Sequence, residues 1–369
     1  MAALFAALAV PFIVAAGSGW QNFFFPYITG KNFAFRILVE FALLCYVLLA
    51  LREPAYRPRA SLIMWSVLAF VGWMAVATVF SLDPVKSFWS NFERMEGYVS
   101  LLHMAAWFVL AGALFSADKL WNAFFNASVV ASVFEASMAF LQALHIFGFA
   151  PSSQSGSRAD TTFGNATYLA VYLLINFFIT LYLFVRAARQ GSGTVGLRVY
   201  YALAMLLQLG GIFLAETRGA ILGLAAGLMV SLVYYALFAR GQESRTMRLG
   251  AIGVVVAVVV LGGLIFALRD TALVKETPGL RRLATISVNE ITVQSRLKYI
   301  WPMAIKGGLE RPVAGWGQEN FNYVFNKYYE PGMYNQEAWF DRAHNQFLDW
   351  LIAGGVPAFL LYASFYALA

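Results

Sequence analysis

Charge and cysteine are scarce in this sequence. Of its 369 residues only 12% are charged, whereas 60% are hydrophobic, and a soluble globular chain needs more charge to cover its surface. The single cysteine, Cys45, excludes an intramolecular disulfide and a cysteine-based metal site. The three histidines, His103, His145 and His344, are scattered, so we expect no histidine metal centre. The composition therefore predicts a polytopic membrane protein.

Ten segments meet or approach the length of about 20 apolar residues that a helix needs to cross the hydrocarbon core. We expect all of them to be helices, because lipid offers no partner for an unpaired backbone amide. The predicted spans are 2–24, 34–51, 61–80, 98–117, 121–145, 167–187, 197–215, 219–239, 249–268 and 344–369. The predicted fold class is all-α, with about nine spans in a scaffold over 1–268, a large periplasmic loop with short helices over 269–343 and a last span over 344–369.

The distribution of basic residues predicts the orientation of these spans. With the N-terminus in the cytoplasm, the inner loops hold ten basic and three acidic residues, and the short outer loops hold six basic and five acidic residues. This asymmetry agrees with the positive-inside rule. The net charge of +7 therefore reflects topology, and we expect membrane lipids rather than nucleic acid as partners.

Residues 197–239 are too long for one span, because a single helix of that length would extend to about 64 Å. We therefore expect two spans that meet at the turn Glu216-Thr217-Arg218-Gly219. This turn places Arg218 at the outer membrane boundary, on the same side as the long loop. The alternative is an arginine that extends to lipid headgroups without a further role.

The long loop contains weaker helix signals. Residues 295–306 could form an amphipathic helix that Gly307-Gly308 stops, and Pro312 with Gly315-Trp316-Gly317 predicts a rigid exposed turn. The tryptophans of this region suit a membrane interface, and they suit stacking against sugar rings equally well.

His344 is the strongest candidate for a proton acceptor. It opens the last predicted span, and the positive end of a helix disfavours the imidazolium form. The ring would then be neutral near pH 7 and able to accept a proton. Asp341 is a candidate cap for that helix. The alternative is a polar interface histidine that only hydrogen-bonds the loop.

Arg218 and Arg296 are the best candidates for binding an anion. A guanidinium keeps its charge and binds phosphate oxygens through two parallel hydrogen bonds, so two of them at an outer cavity would suit a lipid-linked pyrophosphate. Glu40 and Glu135 lie within spans, where acidic residues are often functional. Each could also pair with a neighbouring helix, so we assign them no role.

Residues 295–360 resemble the O-antigen ligase and polymerase family of bacterial envelope enzymes, and shorter motifs extend the resemblance over nearly the whole chain. The motifs are Arg-x-x-x-x-Trp (Arg296, Trp301), Pro-x-x-Gly-x-Gly (Pro312, Gly315, Gly317, then Asn320 and Phe321), His-Asn-x-x-Leu with a later glycine (His344, Asn345, Leu348, Gly355), Thr217-Arg218-Gly219-Ala220, Phe163-Gly164-Asn165 and Glu93-Arg94-Met95-Glu96-Gly97.

The resemblance implies a glycosyltransferase, without metal or cofactor, that uses an undecaprenyl-diphosphate-linked glycan as donor at the periplasmic face of the bacterial inner membrane. The acceptor would be a hydroxyl of lipid A core, of a growing glycan or of a protein. Arg218 and Arg296 would bind the diphosphate, and His344 would activate or orient the acceptor hydroxyl. Further residues predicted to support the site are Asn345, Asp341, Arg342, Trp316 and Arg94. The family commonly continues with about two further spans, so we expect this chain to be a fragment.

Two other functions compete with this interpretation. A lipid-linked oligosaccharide flippase or another transporter often shows repeated halves and broken helices at mid-membrane, whereas the polar residues here are concentrated in one outer loop. A structural membrane partner without activity would leave the placement of Arg218, Arg296 and His344 unexplained. Transfer of glycan in detergent, where transport is impossible, would distinguish an enzyme from a transporter.

Overall fold

The computed structural model describes residues 1–15, 25–152, 155–189, 194–238, 244–277, 280, 295–334 and 339–368. These residues form helices and loops without a strand, which confirms the predicted all-α class. They belong to two compact units, 1–118 with 287–369 (unit 1) and 119–286 (unit 2). The α-helices are α1 Ala2–Ala6, α2 Thr29–Arg52, α3 Leu62–Val79, α4 Pro84–Trp89, α5 Tyr98–Leu114, α6 Asp118–Ala143, α7 Ala166–Arg189, α8 Val195–Leu214, α9 Arg218–Phe238, α10 Ser244–Ala267, α11 Ala272–Glu276, α12 Trp301–Glu310, α13 Phe321–Lys327 and α14 Gln346–Leu368.

Within the described residues, seven helices are long and apolar enough to cross a membrane: α2, α3, α6, α7, α8, α14 and residues 218–235 of α9. The chain is therefore a multi-pass membrane protein, and the count of ten spans stays a prediction. Two predicted spans contain shorter helices, Ala2–Phe12 and Tyr98–Leu114. In the first of these, α1 continues as a 3₁₀-helix to Phe12, and Ile13 is extended. The rest of that predicted span, 16–24, lies outside the described residues.

In unit 1, the loop 81–97, which the sequence predicts to be an outer loop, packs against the segment that follows α12. The Leu82 N–H donates to the Trp316 carbonyl at 3.1 Å, and the Gln318 side chain donates to the Glu96 carbonyl. Arg36 of α2 fixes the other side of the same loop, since its Nη2 donates to the Met95 carbonyl at 2.8 Å. These two outer segments therefore lie at the same end of the unit 1 helices, as the sequence predicts.

In unit 2, a buried polar network joins three helices. Gln208 of α8 is fully buried and donates through Nε2 to Ser132 of α6 at 2.8 Å and to Thr180 of α7 at 3.0 Å. Close approach between small residues accompanies it, because a Cβ added to Gly211 would lie 2.6 Å from Leu173 Cδ1. Small residues and cross-helix hydrogen bonds are typical of membrane helix packing.

Gly307 and Gly308 do not end a helix, contrary to the sequence prediction. Residues 295–300 form a π-helical turn, and α12 continues it through Gly307 and Gly308 to Glu310. A Cβ on Gly307 would lie 2.3 Å from Val324 Cγ1, and one on Gly308 would lie 2.7 Å from Leu351 Cγ. The two glycines therefore let α13 and α14 pack closely on α12.

The last span is interrupted rather than continuous. Gly354 (φ −141°, ψ 17°) and Gly355 (φ 71°, ψ −167°) leave the helical conformation and divide α14 into two segments. A β-carbon is disfavoured at the positive φ of Gly355, and one added there would lie 2.3 Å from the Val313 carbonyl oxygen. The interruption therefore allows the loop that contains Val313 to approach the backbone of α14 closely.

Candidate functional site

The loop 312–317 supplies the hydrogen bonds that the interruption of α14 leaves unmade. The Trp316 N–H donates to the Ile352 carbonyl at 2.7 Å, and the Gly317 N–H donates to the Ala353 carbonyl at 3.1 Å. In return the Val356 N–H donates to the Pro312 carbonyl at 2.7 Å. Unpaired backbone groups are costly in lipid, so this loop stabilises both segments of α14 and fixes the residues on either side of it.

Trp316 anchors the loop from within. Its side chain is 4% exposed, its Nε1 donates to the Gly307 carbonyl at 2.8 Å, and the guanidinium of Arg311 lies 4.4 Å from its ring centroid. The indole is thus occupied by contacts within the protein. It contributes to the site by holding the loop in place, and stacking on a sugar would require it to leave this position.

The segment before α14 differs from its prediction at Asp341. This residue does not cap the helix, because its Oδ2 lies 2.6 Å from Nη2 of Arg94. Asn345 takes that role, since its Oδ1 accepts from the Phe347 N–H at 3.1 Å. Asp349, one turn into the helix, accepts from the Ala343 N–H at 2.8 Å. Asn345 has the better spacing, because a cap accepts from an amide two or three residues later.

His344 therefore stands just outside the helix, in a left-handed conformation with φ 52°. A non-glycine residue adopts this conformation rarely, and it is found often at functional positions. The ring makes an edge-to-face contact with Phe340, with 5.5 Å between centroids. The residue as a whole is exposed to solvent.

The electrostatic surroundings favour a neutral His344. Burial of part of the ring lowers the pKa of His344, and the positive charge of Arg296 lowers it further, while Asp341 opposes the shift. The direction of this pKa shift agrees with the one expected from the sequence. Burial is its largest cause and the charge of Arg296 is the next.

Arg296 lies on the π-helical turn between residues that hold the turn in the core. Ser295, Tyr299 and Ile300 are buried, whereas Arg296 is half-buried. Its Nε is buried without a hydrogen-bond partner, and no carboxylate of the described residues forms an ion pair with it. The positive charge of Arg296 acts on the His344 ring without a paired acid to neutralise it.

Arg342 is by contrast an internal ion-pair residue. Its Nη2 donates to Glu319 Oε1 at 2.6 Å and also to Glu96. Burial alone lowers the pKa of Arg342, but the two carboxylates outweigh it and raise that pKa. Burial raises the pKa of Glu319, which Arg342 offsets in part. Ser90 donates to the second oxygen of Glu319 at 3.0 Å.

A cavity of about 320 Å³ opens beside this ion-pair network and lies within unit 1. Four of its lining residues are acidic and one is basic: Glu96, Glu319, Asp341, Asp349 and Arg342. They come from the outer loop, the loop before α13, the segment before α14, and α14 itself. Sequence analysis names Asp341 and Arg342, and Glu96 within a motif, but it does not predict an acidic cavity, because no local pattern shows that such distant acids converge. No three acidic or histidine side chains of the described ranges are placed to hold a metal ion together.

Arg218 belongs to unit 2 and is the first residue of α9. The predicted turn is present, since α8 ends at Leu214 and Glu216 adopts φ 45°. Arg158, which the sequence analysis did not single out, holds the turn by donating from Nε to the Ala215 carbonyl at 3.1 Å and from Nη2 to Thr217 Oγ1 at 2.8 Å. The other predicted site residues all lie in unit 1.

The two acids within spans have partners on neighbouring elements. Glu40 of α2 lies 3.0 Å from His103 Nε2 of α5, and Glu135 of α6 accepts from Thr162 Oγ1 at 2.5 Å. Both contacts fit a structural pairing, which was one of the two alternatives.

A comparison with known protein families finds a match over part of this chain. The family model Wzy_C, described as O-antigen ligase, matches residues 203–363, which include Arg218, Arg296 and His344. No curated protein matches the chain.

Proposed function

We propose that this chain belongs to the O-antigen ligase superfamily, whose family model matches residues 203–363, and that it transfers a glycan from an undecaprenyl-diphosphate carrier to an acceptor hydroxyl at the periplasmic face of the bacterial inner membrane. The family match supports a membrane enzyme of glycan transfer, of the ligase or polymerase type. The carrier, the face of the membrane and the roles of the residues are our proposal. The acceptor would be lipid A core, a growing polysaccharide or a protein.

The observation that supports this function best is the electrostatic effect of Arg296 on His344. The charge of Arg296 is the largest electrostatic influence on the His344 ring, after burial, in lowering its pKa, and Arg296 Nε is buried without a partner. A neutral imidazole can accept a proton, while a guanidinium with free donors can bind phosphate oxygens. A base and an anion-binding group within electrostatic range of each other suit a transfer from a diphosphate.

In the proposed reaction, His344 accepts the proton of the acceptor hydroxyl as its oxygen attacks the anomeric carbon. The new bond joins that oxygen to the anomeric carbon, and the bond from this carbon to the diphosphate oxygen breaks. Attack opposite to the leaving group inverts the anomeric centre. The diphosphate leaves with the bonding electrons, and Arg296 stabilises its growing negative charge.

Arg218 is proposed as a second ligand of the diphosphate. It begins a helix, where the backbone dipole also favours an anion, and the turn before it is held by Arg158. Its side chain is half-buried, so it would lie at a polar boundary rather than in lipid.

The test is transfer by purified protein in detergent. Labelled undecaprenyl-diphosphate glycan is incubated with candidate acceptors, and the expected result is a glycosylated acceptor with release of the carrier diphosphate. Product formed by the wild type and lost in His344→Ala supports the enzyme. If no acceptor becomes labelled while the same protein moves lipid-linked glycan across vesicle membranes, the transporter interpretation replaces it.

A further inference from the structure

The cavity in unit 1 has a charge opposite to that expected of a diphosphate site. Its lining carries four carboxylates against the single guanidinium of Arg342. That guanidinium already binds Glu96 and Glu319, and Asp341 is paired with Arg94, which does not line the cavity. An anion entering this space would meet an excess of like charge.

Polar atoms without partners point to a ligand rather than to a closed network of charges. Asn320 lines the cavity and is fully buried, and its Nδ2 donates to Ser87 and to the Trp316 carbonyl. Its Oδ1 has no partner among the described residues, and the same is true of Gln318 Oε1 and Trp350 Nε1, which belong to two other lining residues. A buried polar atom without a hydrogen bond is unfavourable. Binding of a molecule that supplies the missing hydrogen bonds would therefore be favoured.

The chemistry of the lining selects the class of molecule. Carboxylates and amide oxygens accept hydrogen bonds, and sugar hydroxyls donate them. No three acids of the described part of the chain converge on one point as metal ligands would. A volume of about 320 Å³ lies near the lower end of small-molecule sites, which extend from about 300 to 1,000 Å³.

We propose that this cavity is the subsite for the acceptor sugar, and that it accepts a sugar with free hydroxyls and rejects one that carries a carboxylate or a phosphate. This inference rests on the proposed glycan transfer. The cavity reaches Asp341, whose charge acts on the His344 ring, so we place the attacking hydroxyl at that end of the cavity, although His344 itself is not one of the lining residues. The acceptor and the diphosphate are thus bound in surroundings of opposite charge.

Direct binding tests the charge selection independently of turnover. Methyl glucoside, methyl glucosaminide and methyl glucuronide share one ring and differ in charge, and saturation-transfer NMR on the purified protein compares their affinities. We expect the neutral and cationic probes to bind at least about tenfold more tightly than the anionic one, as a difference of one like charge in a partly buried site implies.

Glu96→Gln is the variant that separates charge from shape, because Glu96 lines the cavity and its side chain is 45% exposed. It should reduce the discrimination against methyl glucuronide, whereas Glu330→Gln, at an exposed acid outside the lining, should leave it unchanged. Equal binding of the three probes, or no saturable binding of any of them, would overturn the subsite. If glucoside binds selectively but no glycan is transferred to any acceptor, the subsite stands as a sugar site and the proposed transfer fails.

Discussion

Asp341 and Arg94 form an ion pair in which 2.6 Å separates the carboxylate oxygen from Nη2. The pair joins the outer loop 81–97 to the segment that leads into His344. Because the Arg342 side chain beside it reaches Glu96 of the same outer loop, two consecutive residues fix that segment. The candidate base is therefore positioned by a loop distant from it in sequence.

Replacement of Arg342 tests this network. Arg342→Met leaves Glu319, whose side chain is 9% exposed, without its charged partner, and an unpaired buried charge costs about 3–5 kcal/mol. We expect a clear drop in the thermal unfolding midpoint in detergent. The double variant Arg342→Met/Glu319→Gln removes both charges and should recover part of the loss; equal midpoints for the single and double variants would contradict the pairing.

Arg296→Ala should weaken donor binding without unfolding the protein, because the side chain is half-buried. Loss of a charge-assisted hydrogen bond costs about 1.5–3 kcal/mol, or roughly ten- to a hundred-fold in affinity. Arg296→Lys should restore little, because an ammonium lacks the planar fork. Lys298→Ala is the matched control, since Lys298 is an exposed cation on the same turn. Similar losses of donor affinity in both alanine variants would show that Arg296 contributes only its charge and does not bind the donor specifically.

His344→Ala should lower turnover by about 10²–10⁴ and leave donor binding nearly intact. His145→Ala, at an exposed histidine of unit 2, should have no effect on either quantity. If His344→Ala instead abolishes donor binding and turns over bound donor normally, His344 belongs to the diphosphate site.

The pH profile of the reaction should carry the signature of His344. Burial and Arg296 lower the pKa of the ring, so the neutral base persists below the ordinary value of about 6.5 and activity falls only at lower pH. The residual activity of Arg296→Ala should begin to fall at a higher pH than that of the wild type, because a cation that lowers the pKa of His344 has been removed. Asp341→Asn should move that fall the opposite way. Shifts in the same direction would exclude His344 as the titrating group.

Gly355→Ala should destabilise unit 1. The new Cβ would lie 2.3 Å from the Val313 carbonyl oxygen, and φ is 71°, a conformation that alone costs about 1–3 kcal/mol for other residues. Gly112→Ala, at a helical glycine with nothing within 4 Å of the added Cβ, is the matched control. Its unfolding midpoint should stay the same or rise slightly, and a comparable drop in both variants would argue against the close packing at Gly355.

The orientation in the membrane can be measured with single cysteines after Cys45 is replaced. Tyr334→Cys, at a side chain that is 78% exposed, should react with an impermeant reagent in intact spheroplasts. Ala60→Cys, at an exposed position of the predicted inner loop, should react only after permeabilisation. Labelling of residue 60 in intact spheroplasts would reverse the predicted topology.

The sequence predicts the helices better than their interruptions. The turn before Arg218 follows from length alone, because no single helix of 43 residues fits the bilayer. The break in α14 does not, because the apolar run continues through Gly354 and Gly355 and its hydrogen-bond partners are on a distant loop. Likewise, Gly307 and Gly308 resemble a stop signal, but packing against Val324 and Leu351 keeps them helical.

The chemical groups were easier to find than their arrangement. His344 and Arg296 could be identified because their residue types and motif context suit the chemistry. Glu96, Glu319 and Asp349 are far apart in the chain, and only folding brings them to one cavity. The sequence makes Asp341 the expected cap of α14, because it is acidic and near the helix, whereas the structure pairs it with Arg94.

The interruption of α14 also constrains how the protein is made. A translocating chain can release a continuous apolar helix into lipid at once, since such a helix satisfies its own backbone. The last span cannot do so, because the amide of Val356 and the carbonyls of Ile352 and Ala353 depend on the loop 312–317. The two segments of this span therefore reach their final arrangement only together with the loop, so assembly of the span and of the site is coupled.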